Sequence, residues 1–348
     1  MAREPTFAQR VIGWQRRHGR HTLPWQQTRD PYRVWLSEIM LQQTQVATVL
    51  GYYERFLQRF PDVDALAAAS LDDVLAAWSG LGYYSRARYL HRCAQAVVAS
   101  HGSRFPATRD QLVRLPGIGK STAAAVAAFC FGERVAILDG NVKRVLSRAF
   151  AFDGDLALAR HERDLWALAE SQLPRAGIEA YSQGLMDLGA LVCLAREPTC
   201  NACPLNPVCA AARAGTQASY PVKTRRLTRG QREHLWLVLR WRDRVWLVQR
   251  PDRGVWAGLW SLPEFDTAAE LERACAAWPG HPQPGETFTH ALTHFDWTLH
   301  PVHWSLPART GATRMKAIVA RWPQGRWFTL DEALRLGLPA PLRKLLVA

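Results

Sequence analysis

The sequence has no long hydrophobic run. Although 48% of its 348 residues are hydrophobic, no stretch free of Asp, Glu, Lys and Arg exceeds 15 residues. A membrane-spanning helix needs roughly 18 or more apolar residues, so the composition predicts packed cores and no transmembrane segment. The first residues, from Met1 to Pro5, also lack the apolar segment of a signal peptide. We therefore expect a cytoplasmic protein.

Acidic residues and lysine are both scarce. The chain has 30 Asp and Glu against 44 Lys and Arg, which gives a formal net charge of +14, and only five of the basic residues are lysine. A surplus of positive charge of this size favours a polyanionic partner such as nucleic acid. The preference for arginine suits contacts with phosphate, although a GC-rich genome would produce the same preference.

The length of the chain predicts two domains, since a single hydrophobic core usually stops growing at ~250–300 residues. Residues 1–219 have helical periodicity and few strand signals, and residues 220–232 are basic, contain no acidic residue and are typical of an exposed linker. Residues 233–348 are expected to form a smaller α+β part. Its predicted elements are strands at 234–241, 245–249, 291–304 and 317–322 and helices at 270–278 and 330–336.

Four of the seven cysteines lie within 17 positions, in a loop that is rich in proline. They are Cys193, Cys200, Cys203 and Cys209. A cytoplasmic protein keeps its thiols reduced, so disulfides are not expected here. Four thiolates that converge need a metal to offset their charge, and the residues alone leave zinc and a [4Fe–4S] cluster as candidates.

A glycine-rich turn, Leu115-Pro-Gly-Ile-Gly-Lys-Ser-Thr122, joins two predicted helices. Pro116 ends the first helix, Gly117 and Gly119 permit close approach to the backbone, and Ser121 opens the second helix. The exposed amides at this helix start, together with the helix dipole, form an anion site. This pattern is typical of a helix-hairpin-helix element, which binds DNA phosphates without reading bases. An ordinary interhelical turn is the alternative interpretation.

Two carboxylates stand out by their surroundings. Glu38 lies in a predicted helix among apolar neighbours such as Trp35 and Ile39. A glutamate on a helix is usually solvated, but a carboxyl group among apolar neighbours has a raised pKa and keeps a proton near neutral pH. Asp139 follows the apolar run at 135–138 and precedes a predicted helix, where an N-cap role is the simpler interpretation.

Five motifs and the four cysteines occur in one order between Pro24 and Cys209. The motifs are Pro24-Trp, Pro31-Tyr-Arg-Val-Trp-Leu-Ser-Glu-Ile-Met-Leu-Gln-Gln-Thr-Gln-Val46, Gly80-Leu-Gly-Tyr-Tyr-Ser-Arg-Ala-Arg88, Leu115-Pro-Gly-Ile-Gly-Lys-Ser-Thr122 and Leu138-Asp-Gly-Asn-Val-Lys-Arg-Val145. In this combination the sequence resembles the MutY-type adenine DNA glycosylases of the endonuclease III superfamily. The resemblance implies an all-α glycosylase domain over 1–219, with its helix-hairpin-helix element at about 108–131. It also implies that the loop at 193–209 holds a [4Fe–4S] cluster.

The resemblance implies a function in base excision repair, namely hydrolysis of the bond between adenine and deoxyribose in duplex DNA. The adenine removed would be mispaired with 8-oxoguanine or with guanine. Glu38 would protonate adenine at N7, and Asp139 would stay ionised and stabilise positive charge on the sugar, as in other reactions that use two carboxylates. Asn141 matches the family asparagine beside the catalytic aspartate.

The target base has to leave the helical stack before either carboxylate can reach it. By the same resemblance, Gln43 and Tyr83 intrude near the mispair and Leu81 lies beside them. These side chains would fill the space that the extruded nucleotide vacates.

One position predicts the absence of a strand-cleaving step. In bifunctional members of the superfamily, a nucleophilic lysine stands two residues after the second hairpin glycine. Here that place is Ser121, and Lys120 is one residue early, so its direction on a helix differs by about 100°. We therefore expect a monofunctional glycosylase in which Lys120 contacts phosphate.

The segment Arg250-Pro-Asp-Arg-Gly-Val-Trp-Ala-Gly-Leu-Trp-Ser-Leu-Pro263 resembles the Nudix-like C-terminal domain of the same family. The helix expected at 270–278 lacks the carboxylate array with which Nudix hydrolases bind metal, so recognition is expected rather than hydrolysis. In the family this domain reads 8-oxoguanine through a Phe-Ser-His loop. The matching residues here are Leu292, Thr293 and His294, of which Leu292 departs from the family pattern.

Two other functions remain open on the sequence. One is an endonuclease III-like glycosylase-lyase that acts on damaged pyrimidines. The other is a non-catalytic iron–sulfur DNA-binding protein that uses the hairpin and the basic linker as a clamp. In each case the expected partner is double-stranded DNA. The favoured interpretation is a monomeric bacterial enzyme that acts on A:8-oxoguanine or A:G mispairs and is associated with the nucleoid through DNA.

Overall fold

The computed structural model describes residues 4–224 and 228–347. Arg225 and Arg226, which the sequence assigns to the basic linker, lie outside the described residues. Within the described ranges, no helix is long and apolar enough to cross a membrane.

Contacts between Cα atoms divide the chain into two compact units. The first unit comprises residues 1–67 and 92–226, and the second comprises residues 68–91 and 227–348. A short helical segment from the N-terminal half of the sequence therefore packs as part of the C-terminal unit.

Several helices begin where the sequence supplies a capping residue. The Thr6 side chain accepts a hydrogen bond from the Gln9 amide in a capping box, and the Ser70 side chain accepts one from Asp73, as its spacing predicts. The helices of the described chain are α1 (Phe7–His18), α2 (Pro31–Met40), α3 (Val46–Arg59), α4 (Val63–Ala68), α5 (Leu71–Ala77), α6 (Ser85–His101), α7 (Arg109–Leu112), α8 (Lys120–Phe131), α9 (Gly140–Ala149), α10 (Ala159–Ser171), α11 (Ile178–Leu191), α12 (Ala210–Ala214), α13 (Ala268–Cys275), α14 (Ala312–Val319), α15 (Leu330–Leu334) and α16 (Ala340–Val347).

The first unit is helical, and one of its cores forms where α1, α9, α10 and α11 meet. Val11, Leu146, Leu165 and Leu188 are fully buried in this core. A Cβ atom at Gly184 of α11 would lie 2.7 Å from a methyl carbon of Val11, so glycine is what allows α11 to approach α1 so closely.

The helix-hairpin-helix element consists of α7 and α8. The first helix is shorter than the sequence predicts and ends at Leu112, three residues before the predicted end at Leu115, whereas the second begins at Lys120. The alanines of α8 are fully buried, and the helix packs against α2. This packing places the hairpin next to the helix that carries Glu38.

The second unit is built on a mixed sheet of eight strands. Its main path runs β3-β2-β1-β7-β5, and β4, β6 and β8 pair with β1, β7 and β2 respectively. Only β1 and β7 pair in parallel among the strands described. The strands are β1 (Gly230–Trp241), β2 (Arg244–Gln249), β3 (Trp260–Ser261), β4 (Glu264–Phe265), β5 (Pro282–Pro284), β6 (Phe288–Ala291), β7 (Phe295–Leu306) and β8 (Gly325–Thr329).

The hairpin of β1 and β2 is confirmed, whereas the strand predicted at 317–322 is wrong. Residues 317–319 of that segment are the end of α14, in which Met315 and Ile318 are buried three positions apart on one face, and residues 320–322 follow the helix. A short apolar run does not distinguish a strand from a buried helical turn, and here the helical spacing of the buried residues decides. β1 begins at Gly230, within the range that the sequence assigns to the linker.

Candidate active site and DNA-contacting surfaces

Glu38 lies on α2 and lines a cavity of about 290 Å³ in the first unit. The cavity wall also includes the short helical turn Pro24–Gln26 and residues of α11. This volume is at the lower end of the range of small-molecule pockets, about 300–1,000 Å³, and suits a group of the size of one nucleobase. Asp139 does not itself line the cavity.

The structure brings Glu38 and Asp139 together across 101 positions of sequence. Burial raises the pKa of Glu38 from its usual value of 4.5 to about 8, and the negative charge of Asp139 contributes to the increase. A carboxyl group with this pKa carries a proton at neutral pH. The sequence predicted a protonated Glu38 from its apolar neighbours, and the pKa agrees with that prediction.

Asp139 is the N-cap of α9, the simpler of the interpretations that the sequence allowed. Its side chain accepts a hydrogen bond from the Val142 amide at 2.7 Å and lies 3.4 Å from the Asn141 amide nitrogen Nδ2. Burial raises the pKa of Asp139, while the hydrogen bonds from Val142 and Asn141 act in the opposite direction by stabilising the carboxylate.

Arg144 and Gly189 hold Asn141 in place, and sequence reasoning did not identify either of them. The Arg144 guanidinium donates to the Asn141 side-chain oxygen at 2.8 Å and to the carbonyl of Gly189. A Cβ atom at Gly189 would lie 2.5 Å from the Asn141 Cβ, so α11 and α9 touch at this point because residue 189 is glycine. Asn141 is thereby positioned against Asp139.

Part of the cavity wall is polar, and the residues that form it were not identified from the sequence. Asp187 is fully buried. It accepts two hydrogen bonds from Arg20, one from the backbone amide at 2.9 Å and one from the side-chain Nε at 2.6 Å. It accepts a third from Gln183 Nε2 at 3.0 Å. Arg20 and Gln183 both line the cavity. The Asp187 charge is thus paired, and it fixes two polar side chains at the wall.

Gln26 lines the same cavity with a buried amide group. Neither its Nε2 nor its Oε1 has a hydrogen-bond partner among the described residues. A buried amide without partners costs free energy of the order of 1–3 kcal/mol, so a ligand that pairs with it would recover that cost. These polar residues come from two distant parts of the chain, 20–26 and 183–187, which is why no local motif pointed to them.

The hairpin of α7 and α8 exposes its backbone as predicted, with one difference. Gly117 has a positive φ of 74°, whereas Gly119 has a φ of −82° that any residue could adopt. A Cβ atom at Gly119 would meet nothing within 4 Å. The protein itself therefore gives no reason for glycine at 119, which leaves the surface open to a group that approaches from outside.

Lys120 is exposed, and it already has partners in the first unit. Its ammonium lies 3.9 Å from the centre of the Trp166 ring and 3.9 Å from a carboxylate oxygen of Glu170. Ser121 is half-buried in the first turn of α8. The next residue, Thr122, accepts a hydrogen bond from Gln42, which links the hairpin to the end of α2.

The four cysteines of the 193–209 loop line one small cavity of about 20 Å³. They are Cys193, Cys200, Cys203 and Cys209. Arg148 donates to the Cys193 sulfur at 3.3 Å and Gln217 donates to the Cys200 sulfur at 3.4 Å. Among the residues that the structure describes, however, no three His, Cys, Asp or Glu side chains are arranged to hold a metal ion.

Gln43 of the first unit has an unusual backbone conformation. Its φ is +58° and its side chain is exposed, in the short segment between α2 and α3. A non-glycine residue with positive φ is uncommon, and such residues cluster at functional sites.

The segment between α5 and α6, in the second unit, carries Tyr83, the other predicted intruding residue, and Leu81, which was predicted to lie beside the intruding residues. Tyr83 has a φ of +47° and is 45% exposed, whereas Leu81 is only 6% exposed. The structure therefore presents Tyr83 at the surface and places the Leu81 side chain in the interior of its unit.

The predicted lesion-reading residues lie in the second unit, between β6 and β7. Leu292, Thr293 and His294 line a cavity of about 730 Å³ together with residues 80–85 and Trp256. Thr293 and His294 are exposed, and the Thr293 hydroxyl lies 3.1 Å from the Tyr83 hydroxyl. The reading loop and the Tyr83 segment are therefore in direct contact within one unit.

Two family models match the chain in the order that the sequence predicted. The model described as "HhH-GPD superfamily base excision DNA repair protein" matches residues 36–171, and the model described as "NUDIX domain" matches residues 235–348. The fold is thus a helical HhH-GPD glycosylase domain followed by a Nudix-like α+β domain.

Similar proteins cover nearly the whole chain. The adenine DNA glycosylase of Buchnera aphidicola subsp. Schizaphis graminum is 33% identical over 344 residues, which cover 98% of this chain and 97% of that protein. The human adenine DNA glycosylase is 30% identical over 412 residues, which cover 99% of this chain and 74% of the human protein. The solved structure of a thermostable thymine-DNA glycosylase matches with a TM-score of 0.54 at 29% identity, over 60% of this chain and 95% of that one. The chain belongs to the adenine DNA glycosylase family.

Proposed function

We propose that this base excision repair glycosylase hydrolyses the bond between adenine and deoxyribose where adenine is mispaired with 8-oxoguanine or guanine, and that it is monofunctional. The observation that carries the proposal is the pairing of Glu38 and Asp139. Glu38 borders a cavity of the size of a base and has a pKa raised to about 8, and Asp139 is close enough to contribute to that increase. One carboxyl group is thus prepared to donate a proton, and the other lies beside it as an anion.

In the proposed mechanism, Glu38 protonates the extruded adenine so that the base leaves as a neutral molecule. Adenine is a poor leaving group as an anion, and general acid catalysis of this type contributes typically 10²–10⁴-fold to a rate. As the bond breaks, the sugar gains positive charge, which the Asp139 carboxylate stabilises. Water then adds to the sugar and gives its proton to the Glu38 carboxylate that the first step left, while the hydrogen bonds from Val142 and Asn141 orient Asp139 and stabilise its charged form.

Gln26 and Gln183 are proposed to recognise the adenine. A glutamine amide can pair with an extruded adenine through two hydrogen bonds on its Watson–Crick edge, where the amino donor lies next to the acceptor N1, and this pairing leaves N7 free to take the proton from Glu38. Gln26 has a buried amide without partners at the cavity wall. The Gln183 amide nitrogen donates to Asp187, so its oxygen would accept from the adenine amino group.

The monofunctional part of the proposal rests on Ser121 and Lys120. A lyase needs a neutral amine that reaches the sugar, and the residue at the family position of that amine is Ser121. Lys120 lies over the Trp166 ring and near Glu170, so its ammonium is held by contacts on the protein surface. It is therefore assigned to phosphate binding.

The hairpin is proposed to bind the DNA backbone. The open Cβ position at Gly119 lets a phosphate approach the first amides of α8, where the helix dipole favours negative charge. These contacts would position the duplex without reading its sequence.

Thr293 and His294 are proposed to read the base opposite adenine. Both are exposed, polar side chains at the edge of the 730 Å³ cavity of the second unit. Hydroxyl and imidazole groups can hydrogen-bond to the oxygen and the additional N–H that distinguish 8-oxoguanine from guanine. Tyr83, next to Thr293, is proposed to enter the duplex beside the mispair. Gln43, a residue of the first unit, is proposed to enter it as well.

Cys193, Cys200, Cys203 and Cys209 are proposed to hold a [4Fe–4S] cluster. Their side chains line one small cavity, and the cluster is what the resemblance to the endonuclease III superfamily implies for this loop. In a four-iron cluster each thiolate binds its own iron, and N–H donors such as Arg148 and Gln217 offset thiolate charge. When bound, such a cluster would crosslink the loop, and with all four ligand positions taken by the protein it has no part in bond cleavage.

The test is adenine release from a duplex with one A:8-oxoguanine pair, followed by alkali to cleave the abasic strand. We expect alkali-dependent cleavage by the wild-type chain and by the surface variant Glu54→Gln, and none by Glu38→Gln. Strand cleavage without alkali, with an adduct trapped by borohydride, would favour the glycosylase-lyase. Duplex binding without adenine release would favour the non-catalytic clamp.

A further inference from the structure

The segment between α5 and α6 has an unusual backbone. Gly80, Gly82 and Tyr83 have positive φ values of 102°, 72° and 47°. Glycine adopts this region freely, but a residue with a side chain pays roughly 1–2 kcal/mol there and stays only where other contacts hold it. Because Tyr83 is 45% exposed, burial of its ring does not supply that stabilisation. The loop therefore depends on specific contacts beneath it.

Arg86, in the first turn of α6, supplies such contacts. It is only 8% exposed, and its Nη2 donates to the carbonyl of Leu81 at 3.2 Å and to that of Gly82 at 3.3 Å. The guanidinium also lies over two aromatic rings, with its carbon 5.3 Å from the centre of Trp78 and 5.5 Å from that of Tyr83. One side chain thus contacts each of the residues 81–83.

The contacts of Arg86 are reinforced by Trp78, which is fully buried. The Trp78 ring nitrogen donates to the same Gly82 carbonyl at 3.2 Å, so two donors orient that peptide group. Burial lowers the pKa of Arg86 to about 10, which measures the cost of keeping its charge in this place. An apolar residue of the same volume would avoid that cost. We attribute the presence of a charged arginine at this buried position to its contacts with the carbonyls and aromatic rings.

We propose that Arg86 is a positioning residue that sets the backbone of residues 81–83 and so presents Tyr83 to the duplex. This inference rests on the proposed function, because it assumes that Tyr83 enters the DNA beside the mispair. Arg86 lies beneath the loop and acts through it, without touching the reacting atoms.

The substitution Arg86→Lys tests the geometry of the guanidinium separately from its charge. Lysine keeps the positive charge, but it lacks the planar fork that reaches two carbonyls while stacking on rings. Arg86→Met removes the charge and retains an unbranched side chain. Arg343→Lys is the matched control, since Arg343 donates to the Leu336 carbonyl and to the Ser79 hydroxyl of the same segment but, among the described residues, makes no hydrogen bond to residues 81–83.

The experiment uses the full chain and two readouts. The first is the fluorescence of 2-aminopurine placed next to an A:8-oxoguanine pair, which increases when the protein unstacks the duplex. The second is the single-turnover rate of adenine release. For both Arg86 variants we expect an unchanged melting temperature and unchanged affinity for undamaged duplex, with most of the fluorescence gain lost and a rate about 10- to 100-fold lower. Arg343→Lys should behave as wild type.

Three results would overturn the proposal. Wild-type fluorescence and rate in Arg86→Lys would show that the fork geometry is not needed. Equal losses in Arg343→Lys would show a general effect on the second unit. A fall in melting temperature that accounts for the lost rate, with recovery on cooling, would show a merely structural role. If the wild-type chain releases no adenine, the proposed function fails, while the fluorescence comparison still decides the role of Arg86.

Discussion

The hydroxyl oxygens of Tyr83 and Thr293 lie 3.1 Å apart although 210 positions separate the residues in the chain. Tyr83 belongs to a helical segment within the HhH-GPD match, and Thr293 belongs to the Nudix-like domain, yet both lie in the second unit. The side chain assigned to the space beside the mispair is therefore hydrogen-bonded to the one assigned to the opposite base. The contact thus joins two side chains for which we propose neighbouring roles at the mispair.

The Tyr83–Thr293 pair should act as a coupled unit in lesion binding. We expect Tyr83→Phe and Thr293→Val each to weaken binding of an A:8-oxoguanine duplex, and the double variant to lose less than the sum, by about 0.5–1.5 kcal/mol. Fluorescence anisotropy on the four proteins measures this difference. Additive losses would mean that the hydroxyls act independently.

Adenine release should require Glu38 in its protonated form. Because the pKa of Glu38 is raised to about 8, the single-turnover rate should stay level below that pH and fall as pH rises through about 8. Glu38→Gln and Asp139→Asn should each abolish release and leave duplex binding largely intact. A rate that rises with pH through this range, or turnover by either variant, would contradict the assigned roles.

The raised pKa of Glu38 should also make the stability of the folded protein depend on pH. Here Glu38→Gln, which we expect to be inactive, should be the more stable of the two proteins at high pH. A carboxyl group whose folded pKa lies above its usual 4.5 favours folding when protonated, and that contribution is lost as pH rises towards about 8. The amide of Glu38→Gln does not ionise in this pH range. The variant should therefore melt at a higher temperature than wild type near about pH 8, with a smaller difference near about pH 5. Thermal unfolding followed by circular dichroism tests this, and a pH-independent difference would argue against the raised pKa.

Gln26→Leu should affect base recognition more than stability. The substitution removes a buried amide that has no partner among the described residues, so the free energy of unfolding should stay equal or increase. Adenine release should fall about 10-fold or more, because the two hydrogen bonds to the base are lost, at roughly 1–3 kcal/mol of discrimination. Release rates for adenine and for purine lacking the amino group give the measurement. An unchanged preference between them would remove Gln26 from recognition.

Gly119→Ala should weaken binding to any duplex, with little loss of stability. The added methyl group meets nothing in the protein but stands where a phosphate would approach. We expect about a tenfold loss of affinity, independent of base sequence. Gly13→Ala on α1 is the control, because its Cβ also has ordinary space and lies outside the hairpin. Full affinity in Gly119→Ala would show that DNA does not approach residue 119.

The sequence was informative wherever function is encoded locally. The two helices joined by the hairpin glycines, the helix that carries Glu38 and the β1–β2 hairpin are each encoded in a short stretch, and the structure has these elements there, with α7 shorter than predicted. Local patterns failed where a short apolar run had two interpretations, as at 317–322, where the first three residues end α14 and its residues Met315 and Ile318 pack on one face.

The sequence by itself determined the two-part architecture, the family and the two carboxylates, because each of these is written in contiguous residues whose spacing has a direct chemical meaning. Only the tertiary structure decided that Gln26, Gln183 and Arg20 form one wall of the cavity, that Arg144 orients Asn141, and that Arg86 supports the loop of Tyr83. These groups come from separate segments, and only packing of the helices and the sheet brings them within hydrogen-bond distance. No periodicity or motif along the chain records such a contact.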